Sequence, residues 1–183
     1  MLVVAIVGMA GAGKSEVSCI LENKGYTRIR FGDVTDEELK KANLSLNEEN
    51  ERRMRESLRQ SYGMEAYAML NLPKIDSAIK AGSVVVDGIY SWEEYIFLSK
   101  YYGHNFRVAA VWSSPNTRYA RLVQRHVRPL TKEEAYSRDS AEILKLNKGG
   151  PIAMADYTII NEGSLEDLEK ESLKAISAFE KQL

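Results

Sequence analysis

The chain has 183 residues, 44% apolar and 28% charged, which matches one ordinary globular domain and excludes a disordered or fibrous chain. Its 25 Lys and Arg against 26 Asp and Glu leave a formal charge of −1, so no global field points to nucleic acid or a membrane surface. A lone cysteine, Cys19, excludes an internal disulfide and fits a reducing, cytoplasmic compartment.

Leu2 to Val7 is an apolar run too short to span a membrane and reads as a buried strand. The next residues, Gly8-Met9-Ala10-Gly11-Ala12-Gly13-Lys14-Ser15, fit the pattern G-x-x-x-x-G-K-[ST] between that strand and a helix predicted over Lys14 to Asn23. Glycines at these positions let successive backbone N–H groups converge on phosphate oxygens, and the following helix adds its positive dipole end. Gly8 to Glu16 are therefore the expected ATP-binding residues. Lys14 reaches the β and γ phosphates, and the Ser15 hydroxyl binds Mg2+.

A second strand, Thr27 to Phe31, leads into Gly32-Asp33. Asp33 lies at the carboxyl edge, where open α/β sheets build their sites. It is either a base that takes a proton from a hydroxyl acceptor or a cap for a helix beginning near Val34, with Asp36 in a capping-box-like place. Helices over Glu48 to Tyr62 and Met64 to Lys80 follow. The first carries Arg52, Arg53, Arg55 and Arg59, whose partners are either an anionic ligand or Glu48, Glu49, Glu51 and Glu56. The strand Ser83 to Val86 ends in Asp87-Gly88, an arrangement that places a carboxylate near Mg2+.

Beyond it, Trp92, Tyr95, Ile96 and Tyr102 have the spacing of core packing on a helix over Trp92 to Tyr101. The strand Arg107 to Trp112 leads to a helix over Asn116 to Arg125. Arg118, Arg121, Arg125 and Arg128 recur at steps of three or four there, with Arg138 further on, aligning cations on one helical face. Such cations serve phosphoryl transfer, with Arg121 and Arg125 as the catalytic candidates, or else contact RNA phosphate. A helix over Lys132 to Leu146, a strand over Tyr157 to Ile160 and a helix over Leu165 to Lys181 complete the β/α alternation of a parallel sheet covered by helices. Gly25, Gly82 and Gly103 end helices, and Ser91, Thr131 and Ser164 begin them. Two histidines and one cysteine without ligand spacing support no zinc site.

The nucleotide motif, Gly32-Asp33, Val84-Val85-Val86-Asp87-Gly88, the arginines near Arg121 and the segment Ala155 to Ser164 together resemble P-loop nucleotide kinases. Within these the chain looks like an archaeal kinase-like family related to dephospho-CoA kinase and to adenylate and cytidylate kinases. The resemblance covers nearly the whole chain. It implies an α/β P-loop NTPase domain over residues 1–183, a three-layer sandwich whose five-stranded parallel sheet has order 2-3-1-4-5. It also implies an acceptor-binding helical segment at about 34–80, a short lid at about 127–135, and a loop at Asn161 to Ser164 beside the adenine. Asp36 and Tyr90 stand where family members often carry arginines, a departure that bears on the acceptor.

These features lead to the expectation of an ATP- and Mg2+-dependent kinase acting on a nucleotide-like or coenzyme-precursor acceptor, dephospho-CoA or a nucleoside monophosphate. Two other expectations stand beside it: a regulatory ATPase or switch without an acceptor, and an RNA-associated P-loop protein.

Overall fold

The computed structural model describes residues 1–126 and 129–181, apart from the side chain of Glu48. Val127 and Arg128, the start of the expected lid and the last arginine of the series, lie outside the described residues. Five strands, β1 Val3–Val7, β2 Thr27–Arg30, β3 Val84–Asp87, β4 Phe106–Trp112 and β5 Tyr157–Ile160, form one parallel sheet in the order β2-β3-β1-β4-β5. Ile6 lies opposite Asp87 on one side of β1 and Ala109 on the other, so the motif that follows β1 emerges at the middle of the sheet's carboxyl edge.

The helices around it are α1 Lys14–Asn23, α2 Asp33–Lys41, α3 Glu48–Tyr62, α4 Ala66–Ala78, α5 Trp92–Tyr102, α6 Pro115–Val123, α7 Lys132–Leu146, α8 Gly149–Ala153 and α9 Leu165–Glu180. Alternation along β1 assigns them to layers. Val3, Ala5 and Val7 pack with Val84, Val86, Phe31, Tyr67, Ile75 and Leu98, under α4 and α5. Leu2, Val4 and Ile6 pack with Val85, Val17, Leu21, Ala175 and Phe179, under α1 and α9. A strand covered on both faces needs an apolar residue at every position, which is why β1 is an uninterrupted apolar run.

The helix starts are local chemistry. Ser91, Thr131 and Ser164 each accept a hydrogen bond from the backbone N–H three residues on, and Thr131 and Ser164 complete capping boxes with Glu134 and Asp167. Most bounds lie within one or two residues of the sequence expectation, and three differences bear on the site. The α2 helix begins at Asp33, with Gly32 at the cap and no side-chain cap bond, so Asp33 sits in the first turn rather than before it. The α6 helix stops at Val123, short of Arg125, because the chain doubles back: Leu130 donates its N–H to the Leu122 carbonyl at 3.1 Å and packs against Leu122, Ala135 and Ala10. The short α8 was unanticipated, since Gly149-Gly150-Pro151 reads as a turn. Its closeness to α5 needs Gly150, where a Cβ would lie 2.5 Å from the Trp92 ring.

Candidate active site

Three backbone positions give the motif its shape. Gly8, Gly11 and Gly13 have φ of 145°, 79° and 102°, a region that side-chain-bearing residues rarely adopt. Space is closed as well. A Cβ on Gly8 would strike the Val111 carbonyl, one on Gly11 would lie 2.7 Å from the Arg118 carbonyl, and one on Gly13 would strike the Asn161 amide. Gly13 caps α1 directly, so the helix's first N–H groups open onto the loop. Ser15 and Glu16, in that first turn, are exposed, whereas Ala10 and Ala12 are buried beneath the loop.

Lys14 folds back over this loop, donating from Nζ to the Gly8 carbonyl at 2.9 Å and to the Met9 carbonyl at 3.0 Å. Burial and then the positive charge of Lys148 bring its ammonium down to about 7. An ammonium so disfavoured is poised for an anion. Phosphate oxygens would replace two neutral carbonyl partners with charged ones and restore the proton.

Behind the loop, the expected catalytic and adenine-side residues form its bracing. Asn161 is buried, and its Nδ2 donates to the Ala12 carbonyl at 2.8 Å. Arg121 donates to Ser113 Oγ at 2.9 Å and to the Asn161 carbonyl at 3.1 Å, while Ser113 Oγ donates to that same carbonyl at 2.6 Å. Arg118 is buried in a bidentate pair with Asp139 on α7, at 3.0 and 2.6 Å, and also donates to the Ala10 carbonyl at 3.1 Å. The arginine series thus does not form a single exposed face. Arg118 is an internal tie, Arg121 faces the loop's floor, and Arg125 is exposed beyond the end of α6.

In front of the loop stand the acids. Asp87 ends β3, is buried, and accepts a hydrogen bond from Arg28 on β2, which also contacts Cys19 and Glu22. Asp33 pairs with Arg30 at 3.0 Å and stays 41% exposed. Burial outweighs Arg30 and raises its carboxyl above the usual range. Of the α3 arginines, Arg52 and Arg53 face outward and Arg53 pairs with Glu49, whereas Arg55 pairs with buried Glu51 and Arg59 lies 5.3 Å from the centre of the Tyr67 ring.

Spacing alone did not reveal the rest of this wall. Tyr90 packs edge-on against Tyr67, and a Cβ on Gly32 would lie 3.2 Å from its hydroxyl. Burial and Asp87 hold that hydroxyl protonated, well above the ordinary tyrosine range. Glu94 is fully buried, accepts from the Tyr90 N–H at 2.7 Å through Oε2, and has no partner for Oε1 among the described residues. Burial raises it to about 7. Lys148, also buried, pairs with Glu142 at 2.6 Å. Burial alone would raise the Glu142 carboxyl, but Lys148, Arg138 and Lys14 bring it to about 2. Among the described residues no cluster of three or more His, Cys, Asp or Glu could hold a metal unaided.

Residues 4–145 match a family described as AAA domain. A UPF0200 protein of Thermococcus kodakarensis is 37% identical over 179 residues, covering 96% of each chain. Among solved structures, a gluconokinase from Sinorhizobium meliloti superposes with a TM-score of 0.62 at 14% identity, over 98% of this chain and 94% of that one. A dephospho-CoA kinase from Campylobacter jejuni does so with a TM-score of 0.56 at 15% identity, over 97% and 96%. At these identities the likeness is one of fold, and the fold is that of the P-loop kinases. The chain belongs to the archaeal UPF0200 family and carries an AAA domain.

Proposed function

We propose that this UPF0200 chain is an ATP- and Mg2+-dependent phosphotransferase that acts on a small nucleotide-like or coenzyme-precursor acceptor. The observation that carries it is the loop from Gly8 to Lys14: three glycines in conformations and spaces that exclude a side chain, a helix N-terminus directly behind, and a lysine folded back over the loop's carbonyls. Mg2+ would be held by the Ser15 hydroxyl and the Asp87 carboxylate, hard oxygen donors that suit it, and would supply charge neutralisation between the phosphates.

The chain's own residues divide the remaining work. Lys14 orients the β and γ phosphates. Arg121 and Asn161 keep the loop in register from behind, so their contribution is positional, while Arg125 is left available from solvent. The segment of about 34–80 carries the acceptor, with Asp33 at its near end as the base for a hydroxyl and with Tyr67, Tyr90 and Arg59 behind it. A raised carboxyl pKa suits a base. A hydroxyl acceptor, of which dephospho-CoA is one, fits better than a nucleoside monophosphate, since Asp36 and Tyr90 replace two cations that would hold an acceptor phosphate.

The pairing of Asp87 with Arg28 favours a second reading, a regulatory ATPase, because one carboxylate oxygen is already committed to a cation. An RNA-binding role is weakened by the burial of Arg118 and the inward bonds of Arg121. Measuring ADP release against a panel of hydroxyl and phosphate acceptors separates the readings. A phosphotransferase releases ADP in proportion to one acceptor; acceptor-independent release supports the ATPase.

A further inference from the structure

Two cations, one from α7 and one from the turn that follows it, hold one carboxylate within reach of the loop lysine's charge. Glu142, on α7, accepts from Lys148 Nζ at 2.6 Å and from Arg138 Nε at 3.1 Å, and its charge is felt by Lys14. Lys148 is 1% exposed, and its ammonium lies 5.5 Å from the centre of the Tyr90 ring. Lysine is almost never buried so completely unless paired. The turn that delivers it is the left-handed end of α7, where Asn147 holds φ 49° and ψ 36°, a conformation asparagine tolerates.

Stability alone does not explain this arrangement. An apolar pair of similar volume fills such a site about as well, without desolvating two charges. Two lysines and an arginine within charge reach of a planar anion with two oxygens are complementary to something else, a phosphoryl group with three. Tyr90 completes the picture. Its ring supports the ammonium through its π face.

We propose that Lys148 is a second phosphate-binding lysine, and that Glu142 is the anion that holds it until the terminal phosphoryl group of a nucleoside triphosphate replaces that carboxylate as its partner. The proposal rests on the nucleotide-site reading above. No covalent bond changes: one ion pair is exchanged for another. The nucleoside diphosphate lacks the terminal group, so with it Lys148 stays on Glu142. The site thereby distinguishes the two nucleotides through a residue outside the loop motif.

The test is calorimetric titration of the whole chain with MgATP and with MgADP, for wild type, Lys148→Met, and the double variant Glu142→Leu/Lys148→Met. The double variant removes both buried charges and so keeps the fold, which a melting curve verifies. Loss of one charge-assisted contact corresponds to about tenfold or more in affinity. ATP affinity is expected to fall by that factor in both variants while ADP affinity stays within about twofold. An unchanged ATP-to-ADP affinity ratio in Lys148→Met, or a wild-type ratio restored in the double variant, would overturn the proposal and leave the pair as a staple between α7 and α8. A wild-type chain that binds neither nucleotide would overturn the nucleotide site itself, together with the role built on it.

Discussion

Three side chains carry the chemistry that single substitutions can test. Lys14 and Ser15 face the loop rather than the core, so Lys14→Ala and Ser15→Ala are expected to weaken MgATP binding at least about tenfold, the size of one or two charge-assisted contacts, with little change in melting temperature. Fluorescence titration beside a melting curve checks this, and wild-type affinity in both variants would remove the loop from nucleotide binding. Gly32 rather than Asp33 holds the cap of α2, and the Asp33 pair with Arg30 is exposed, so Asp33→Asn tests the base with little effect on the fold. On a hydroxyl acceptor it should lower kcat about a hundredfold, the usual range for a positioned base. The raised carboxyl also fixes the sign of the pH dependence. A base works deprotonated, so the wild-type rate falls on acidification at a pH above the ordinary Asp range, and the variant lacks that limb. A rate profile from pH 4 to 8 decides it, and full turnover by Asp33→Asn would exclude the assignment.

Between elements, the tie from α6 through Arg118 to Asp139 on α7 and to the Ala10 carbonyl joins the arginine segment to the loop. Arg118→Met leaves Asp139 buried with the Tyr119 hydroxyl but without its cation, which costs about 3–5 kcal/mol. Arg118→Met/Asp139→Leu should recover most of that in urea denaturation, and a double variant as unstable as the single would show that Arg118 works through its carbonyl contacts instead. Arg118 also marks the limit of what the sequence made legible. Strands, helices and caps follow from period and local chemistry, so β1 to β5 and seven of the helices sit close to where apolar runs, Ser91, Thr131 and Ser164 place them. The α6 boundary does not, because a long-range contact, Leu130 on Leu122, ends the helix while the arginine spacing continues. Likewise the loop motif is local and legible, whereas Lys148 reaches the Tyr90 ring only through the fold. Nothing in the spacing around Lys148 separates it from an exposed lysine.

Across the whole molecule, two buried carboxyls bend stability in opposite directions with pH. Glu142 has its pKa lowered from 4.5 to about 2, so its ion pairs stabilise the fold above pH 4.5 and are lost as pH falls toward 2. Glu94 has its pKa raised from 4.5 to about 7, so the folded chain holds a proton that the unfolded chain has released, and stability falls as pH rises across that interval. Glu94→Gln keeps an acceptor for the Tyr90 N–H without the charge. It is expected to raise stability at pH 8 by up to about 3 kcal/mol and to flatten the slope between pH 4.5 and 7. Parallel stability profiles for variant and wild type would contradict this. The same fold gathers the loop, Asp33, Asp87 and Lys148 at one edge of the sheet, and the central claim is that this edge moves a phosphoryl group. The most direct measurement follows γ-labelled ATP with Mg2+ and a panel of small hydroxyl and phosphate acceptors, for wild type and Lys14→Ala. The claim requires label to appear on one acceptor with wild type and not with Lys14→Ala. Label found only in inorganic phosphate, at a rate no acceptor changes, would contradict it.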